Sequence, residues 1–246
     1  MKTKPVYYRV IEFTLWVILF LMLVWGVLYE VYRNPRLQLF GDLVYRVETD
    51  EKVVALTFED GPKPGTTQQL LGVLQRENVL GTFYLNGLPM EINPNETKLI
   101  IKSGHEIGNH GYNHFKLVFK SYENIVEEIE STTKVMRELG YKGDITFRPP
   151  FGKSLFALPY YLKQKGITSV TWDVEPETFI DEEDTSEKIA LRALEQVKPG
   201  SIISLHIMYE EFGASMGALP IIIRELKKQG YRFVTVSELI KLRDKK

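Results

Sequence analysis

The sequence predicts an α/β fold on a parallel sheet, closed or nearly closed into a β/α barrel, with an open doubly wound sheet as the other arrangement. Three observations carry this. Short apolar runs alternate with helical patterns from Val53 to Val236, and parallel neighbours need such crossover connections. The runs are almost continuously apolar rather than alternating, as in strands buried on both faces. The stretch beyond Arg36 is about 210 residues, which one domain accommodates without subdivision.

The first element precedes the barrel. Phe13–Tyr29 is a run of 17 uncharged residues rich in Leu, Val, Phe and Trp. At about 1.5 Å per residue it reaches the short end of what spans a bilayer. Trp16, Trp25 and Tyr29 lie along it, and Tyr7, Tyr8 and Tyr32 flank it, where interface-seeking aromatics collect. The residues after the run, Glu30 to Pro35, hold no small-x-small cleavage pattern. An uncleaved single-pass anchor is therefore expected over a removed signal peptide or a buried core helix. Lys2, Lys4 and Arg9 before the run, against Arg33 and Arg36 after it, lean toward an N-terminus inside and an extracytoplasmic bulk. The expected division is 1–36, a cytoplasmic tip and membrane anchor, and 37–246, one folded domain.

Seven strands are expected: Val53–Phe58, Thr82–Leu85, Glu106–Asn109, Ile145–Arg148, Thr168–Asp173, Ser201–His206 and Phe233–Val236. The clearest helix is Ser121–Leu139. Ser121 suits an N-cap, Ile125, Ile129, Met136 and Leu139 share a face, and Gly140 can end it. Others are expected to begin near Thr66, Asn95, Ser154, Thr185 and Gly217.

Composition narrows the chemistry. With 31 Lys+Arg against 32 Asp+Glu there is no basic excess to bind nucleic acid. The absence of cysteine excludes disulfides, thiolate metal sites and a cysteine nucleophile, so any metal must sit on His, Asp or Glu.

In either architecture function gathers at the carboxyl ends of the strands. The first strand ends in Thr57-Phe58-Glu59-Asp60-Gly61-Pro62, two adjacent carboxylates at a turn. The third runs into His110-Gly111-Tyr112-Asn113-His114, whose i, i+4 spacing puts both imidazoles on one side of a helical turn. The fourth ends in Arg148-Pro149-Pro150-Phe151-Gly152, the fifth in Trp172-Asp173-Val174-Glu175-Pro176, and the sixth in His206. A polar surface turn explains a lone Glu-Asp-Gly, and a surface pair explains a lone HxxxH. Chance turns do not explain five strand ends of this kind together.

The order of these motifs resembles the polysaccharide deacetylase family, the NodB-homology domain of carbohydrate esterase family 4. The motifs are TFEDGP (57–62), HGYNH (110–114), RPPFG (148–152), WDVEPETF (172–179) and LH (205–206), with GTFYLNG (81–87) and GHEIGNH (104–110) around them. The resemblance runs from about Gly41 to Glu238 and makes residues 37–246 the deacetylase domain. It implies a deformed, seven-stranded (β/α) barrel and one divalent metal, usually zinc, with cobalt or another ion acceptable, on Asp60, His110 and His114. The implied reaction is hydrolysis of N-acetyl, sometimes O-acetyl, groups on a cell-wall or surface polysaccharide such as peptidoglycan, releasing acetate. By the same resemblance Glu59 is the base and His206 the acid, Arg148 orients a carboxylate such as Glu59, and the amide of Phe151 receives the oxyanion.

This chain departs from the family at three places. Glu59 stands where the family has aspartate, Glu175, Thr178 and Phe179 where its fourth motif has two aspartates and a tryptophan, and Ile207 where aspartate is frequent. Thr178 cannot charge the acid histidine, so Glu175 or Glu177 is expected to substitute. The alternative is an impaired deacetylase-like protein that binds metal and glycan without efficient turnover. A scaffolding role leaves the chemistry at the strand ends unexplained.

Overall fold

The computed structural model describes residues 5–177, 184–208 and 213–244. Helix α1 (Val6–Arg33) absorbs the whole apolar run. Pro5 precedes it and Pro35 follows it, and proline is tolerated at the start of a helix but cannot continue one. The apolar window of α1, with mean hydropathy 2.3, is not covered by the rest of the chain. Only Val31, in its last turn, is buried.

The rest of the chain is a mostly parallel α/β fold. Its strands are β1 (Leu43–Val44), β2 (Val53–Glu59), β3 (Thr82–Leu85), β4 (Glu106–Asn109), β5 (Ser169–Val170), β6 (Ile202–Leu205) and β7 (Arg232–Val234). All pairings between them are parallel, in the order β4-β3-β2-β6, with β7 also on β2 and β1 on β5. Single parallel bridges carry the pairing onward, from Asn109 to Phe147, from Phe147 to Ser169, and from Val174 to Ile203 beside β2. The helices between are α2 (Thr66–Arg76), α3 (Gly87–Ile92), α4 (Pro94–Lys102), α5 (Tyr122–Glu138), α6 (Ala157–Lys165), α7 (Ser186–Gln196), α8 (Gly213–Lys228) and α9 (Val236–Arg243).

Strand β2 is buried along its whole length, and its period of two sorts the interior. Val54, Leu56 and Phe58 belong to the outer core with Leu70 and Leu74 of α2, Ile189 of α7 and Ile222 of α8. Val53 and Ala55 face the other way, among Tyr84, Val170, Trp172 and Ile202. Thr57 and Glu59 continue that second face, so the inner space turns from apolar to charged toward the carboxyl end of the strand.

Four expected strands are shorter than the sequence suggested: Thr168–Asp173 is cut to Ser169–Val170 and Ser201–His206 to Ile202–Leu205, and two others are cut for local reasons. Ile145–Arg148 contributes bridges at Phe147 alone, because Pro149 and Pro150 have no amide with which to extend a ladder. Phe233–Val236 stops at Val234. There Thr235 and Glu238 form a reciprocal capping box that starts α9.

Candidate active site

The loops after β2, β4 and β6 and the turn around Arg148 bring the seven site residues of the sequence analysis into one cluster. Arg148 is fully buried. Its NH1 donates to Glu59 Oε1 at 2.9 Å, Thr57 Oγ1 at 2.8 Å and Ser204 Oγ at 3.1 Å. Its Nε and NH2 donate to the carbonyls of Val170 and Thr171. The guanidinium lies 4.1 Å from the Tyr84 ring centroid and 5.3 Å from that of Trp172, so its remaining surface is met by π-faces. Ser204 Oγ adds a 2.5 Å hydrogen bond to Glu59 Oε1.

Glu59 thus has one oxygen held and the other, Oε2, turned to His110 Nε2 at 3.4 Å and His206 Nε2 at 3.5 Å. Burial would push this carboxyl up, but the Arg148 guanidinium, helped by His206 and His110, holds it well below the usual carboxylate range. It is a buried anion whose second oxygen faces two imidazoles.

Asp60, His110 and His114 form a second group, with one donor atom from each within 4.8 Å of the others. Asp60 Oδ1 is 3.3 Å from His114 Nε2 and 3.8 Å from His110 Nε2. The Nδ1–H of His110 donates to the Arg148 carbonyl at 2.9 Å, which fixes the tautomer and leaves Nε2 as a bare lone pair. Burial pulls the His110 pKa down, which favours that neutral form. Asp60 Oδ1 and His110 Nε2 are buried with no hydrogen-bond partner among the described residues. Such orphaned acceptors are costly unless a cation sits between them. Two imidazoles and a carboxylate suit a divalent first-row ion, so the residues present fit the metal that the sequence implies.

The i, i+4 spacing of these histidines does not act through a helical turn. Residues 110–114 form a loop, because Gly111 takes φ 78° and His114 φ 60°. The Asn109 side chain caps the Gly111 amide at 2.9 Å. Glu128 of α5 accepts from the amides of Tyr112 and Asn113 at 2.7 and 2.9 Å. Among the described residues four non-glycine positions have positive φ, and three of them, Asp60, His114 and Phe151, are in this cluster. Backbone strain of this kind concentrates at functional sites.

Phe151, at φ 61°, lays its ring 4.6 Å from that of His114. Its amide has no partner among the described residues. His206 is held by Glu177, which accepts from its backbone N–H and its Nδ1–H. Thr178 and Phe179 lie outside the described residues. Ile207 is buried in the outer core, and Asp173 caps Ser201 and the Ile202 amide rather than entering the cluster. Thr57, although it opens TFEDGP, is given no role by the motif reading, and neither are Ser204 and Glu128. For the first two a signal exists, since Thr57 with Glu59 and Ser204 with His206 place polar groups at period two in otherwise apolar strands.

A mostly parallel α/β frame thus carries carboxylates, histidines and a buried arginine at its strand ends. Residues 46–170 match the family profile described as polysaccharide deacetylase, and the chain belongs to that family. It is 36% identical over 201 residues to a peptidoglycan-N-acetylglucosamine deacetylase of Bacillus cereus, covering 82% of this chain and 94% of that one. It is 32% identical over 204 residues to the peptidoglycan-N-acetylmuramic acid deacetylase PdaA of Bacillus subtilis, covering 81% and 75%. The crystal structure of the Bc1960 peptidoglycan N-acetylglucosamine deacetylase superposes with a TM-score of 0.75 at 31% identity, over 80% of this chain and 92% of that one.

Proposed function

We propose that this protein is a metal-dependent deacetylase of an N-acetylated cell-wall polysaccharide, anchored by α1 with residues 37–246 as an extracytoplasmic catalytic domain. One observation carries the chemistry: the anionic edge of Glu59 and the ring of His206 face each other at 3.5 Å, beside the bare lone pairs of Asp60 and His110.

Asp60, His110 and His114 would hold one divalent ion, most simply zinc. Bound there, the ion supplies Lewis acidity toward the acyl oxygen and a water of lowered pKa. The protein's own groups do the proton work. Glu59 Oε2 takes a proton from the attacking water, while Arg148 and Ser204 keep the other oxygen fixed. His206, charged beside Glu177, gives its Nε2 proton to the sugar nitrogen as the C–N bond breaks, and acetate leaves. The unpaired amide of Phe151 faces the developing negative charge as a donor. The added methylene of Glu59 over aspartate is accommodated by Ser204, which donates to the carboxylate directly, and by Arg148, which Thr57 helps to hold.

The peptidoglycan relatives support the substrate class, and the uncovered apolar surface of α1 supports the anchor. The test is acetate release by the zinc-loaded protein from isolated peptidoglycan and from N-acetylglucosamine oligomers, with His110→Ala as blank. Release above the blank supports the proposal. Full retention of turnover in Glu59→Ala would remove Glu59 as base, and no release with metal stoichiometrically bound would leave a glycan-binding protein.

A further inference from the structure

The last turn of α1 meets the folded domain beside the mouth of the candidate site. Lys153 Nζ lies 5.1 Å from the Tyr32 ring centroid and donates to the Arg33 carbonyl at 3.0 Å. Tyr32 also lines a cleft of about 310 Å³ with Lys116, Val118, Phe119 and Lys120. The uncharged run ends at Tyr29, and three further residues of helix carry Tyr32 only ~4.5 Å beyond it. The polar layer on each side of the hydrocarbon is roughly 5–7 Å deep. Whatever touches Tyr32 therefore lies at headgroup depth once α1 spans the bilayer.

The residues placed there suit that depth. Phe119 is 87% exposed and Phe115 is 49% exposed, although an isolated phenyl gains by leaving water. Lys116, Lys120 and Lys153 surround them, while Glu30 is already paired with Arg33 at 3.1 Å. Burial first, and then the neighbouring charges of Lys116 and Arg33, push the Lys153 ammonium down, against the weaker opposing pull of Glu175. Phenyl rings among lysines are the composition of a surface that rests on anionic lipid. One of these lysines reaches the site, since Lys116 Nζ is 4.9 Å from the Phe151 ring that packs on His114.

We infer that segment 115–120, with Lys153, rests on the anionic headgroups of the bilayer that α1 crosses, and so holds the mouth of the site at the membrane surface. The inference rests on α1 being a membrane span and not on the chemistry of the site. The glycan that reaches such a mouth is one lying close against the bilayer.

The chain has no cysteine, so one introduced thiol gives a unique label. Full-length Phe119→Cys carrying bimane, an apolar ring in place of the phenyl, is reconstituted in phosphatidylcholine vesicles with roughly a third phosphatidylglycerol and headgroup-level nitroxide lipids. Leu80→Cys, at the amino end of β3 and opposite the site, is the control. With the protein floating with the vesicles, loss of roughly half or more of the emission at 119 and little at 80 is expected. Lys116→Glu with Lys120→Glu, added to the labelled Phe119→Cys protein, should restore that emission. Equal brightness or equal quenching at both positions overturns the docking while leaving the anchor and the deacetylase reading untouched. A protein that does not float overturns the docking together with the anchor.

Discussion

One carboxylate oxygen of Glu177 accepts both the backbone N–H of His206, at 2.7 Å, and its ring Nδ1–H, at 2.8 Å. The pair of bonds fixes the imidazole's tautomer and direction, so Nε2 points toward Glu59. Burial by itself would pull the His206 pKa down. The hydrogen bonds and charges of Glu177 and Glu59 outweigh it and lift the value to about 11. The charge that Thr178 cannot provide is thus supplied one residue earlier in the chain, by Glu177 and not Glu175.

Glu177→Gln keeps a hydrogen-bond acceptor but removes the anion. The His206 pKa then falls, so its acid form is lost at lower pH. The alkaline limb of kcat/KM for acetate release should move to lower pH by roughly one unit or more, with turnover down about tenfold to a hundredfold. A pH–rate profile checks this, and an unmoved alkaline limb would detach Glu177 from the acid.

Arg148→Met leaves the Glu59 carboxylate buried without its cation, which should cost about 3–5 kcal/mol in urea unfolding. Adding Glu59→Gln removes the stranded charge, so the double variant should be more stable than Arg148→Met alone. Losses that simply add would mean that Arg148 acts chiefly through the rings of Tyr84 and Trp172.

Zinc at about a hundred times its Kd should stabilise the wild-type protein by about 2.7 kcal/mol, which for a domain of this size is a Tm rise of roughly 5–10 °C. His110→Ala and Asp60→Asn should keep their circular dichroism and show no such rise. A metal-induced shift surviving in both would place the ion elsewhere.

His105 reports on pH through stability rather than turnover. It is 6% exposed, and its Nδ1 accepts the Gly81 amide at 3.2 Å, so the neutral ring belongs to the fold. Burial lowers its pKa to about 4, below the ordinary value near 6.5. The stability it confers is complete above about pH 6.5 and is lost as pH falls toward 4, on the order of 3 kcal/mol. Urea midpoints for wild type and His105→Gln should therefore converge across that window. A constant gap would show that His105 is not titrating with unfolding.

The parts legible in the sequence are those decided by local pattern. Strands β3 and β4 match their expected bounds, each beginning just after a glycine-containing connection, at Gly81 and at Gly104-His105. The N-cap of α5 at Ser121 follows from its hydroxyl, which accepts the Asn124 amide. The parts that were not legible depend on packing. Helical spacing puts Glu128, unlike Glu127, on the buried face with Ile125 and Ile129, but it does not tell that this carboxylate reaches the loop between the two histidines. Thr235-Val236-Ser237-Glu238 carries a capping signature, but the apolar Phe233–Val236 run masks it. The HxxxH spacing is compatible with a helix, and only Gly111 and the Glu128 contact make it a loop.

Strand β2 pairs first with β3, some 25 residues later, and then with β6, whose residues 202–205 come almost at the end of the chain. A ribosome therefore delivers Asp60, His110 and His114 well before Ser204 and His206 exist. On the proposed roles, a nascent product ending short of β6 would carry the three candidate metal donors and lack the candidate acid. On those roles, His206 is thus the last of the seven site residues to leave the ribosome, after every candidate metal donor.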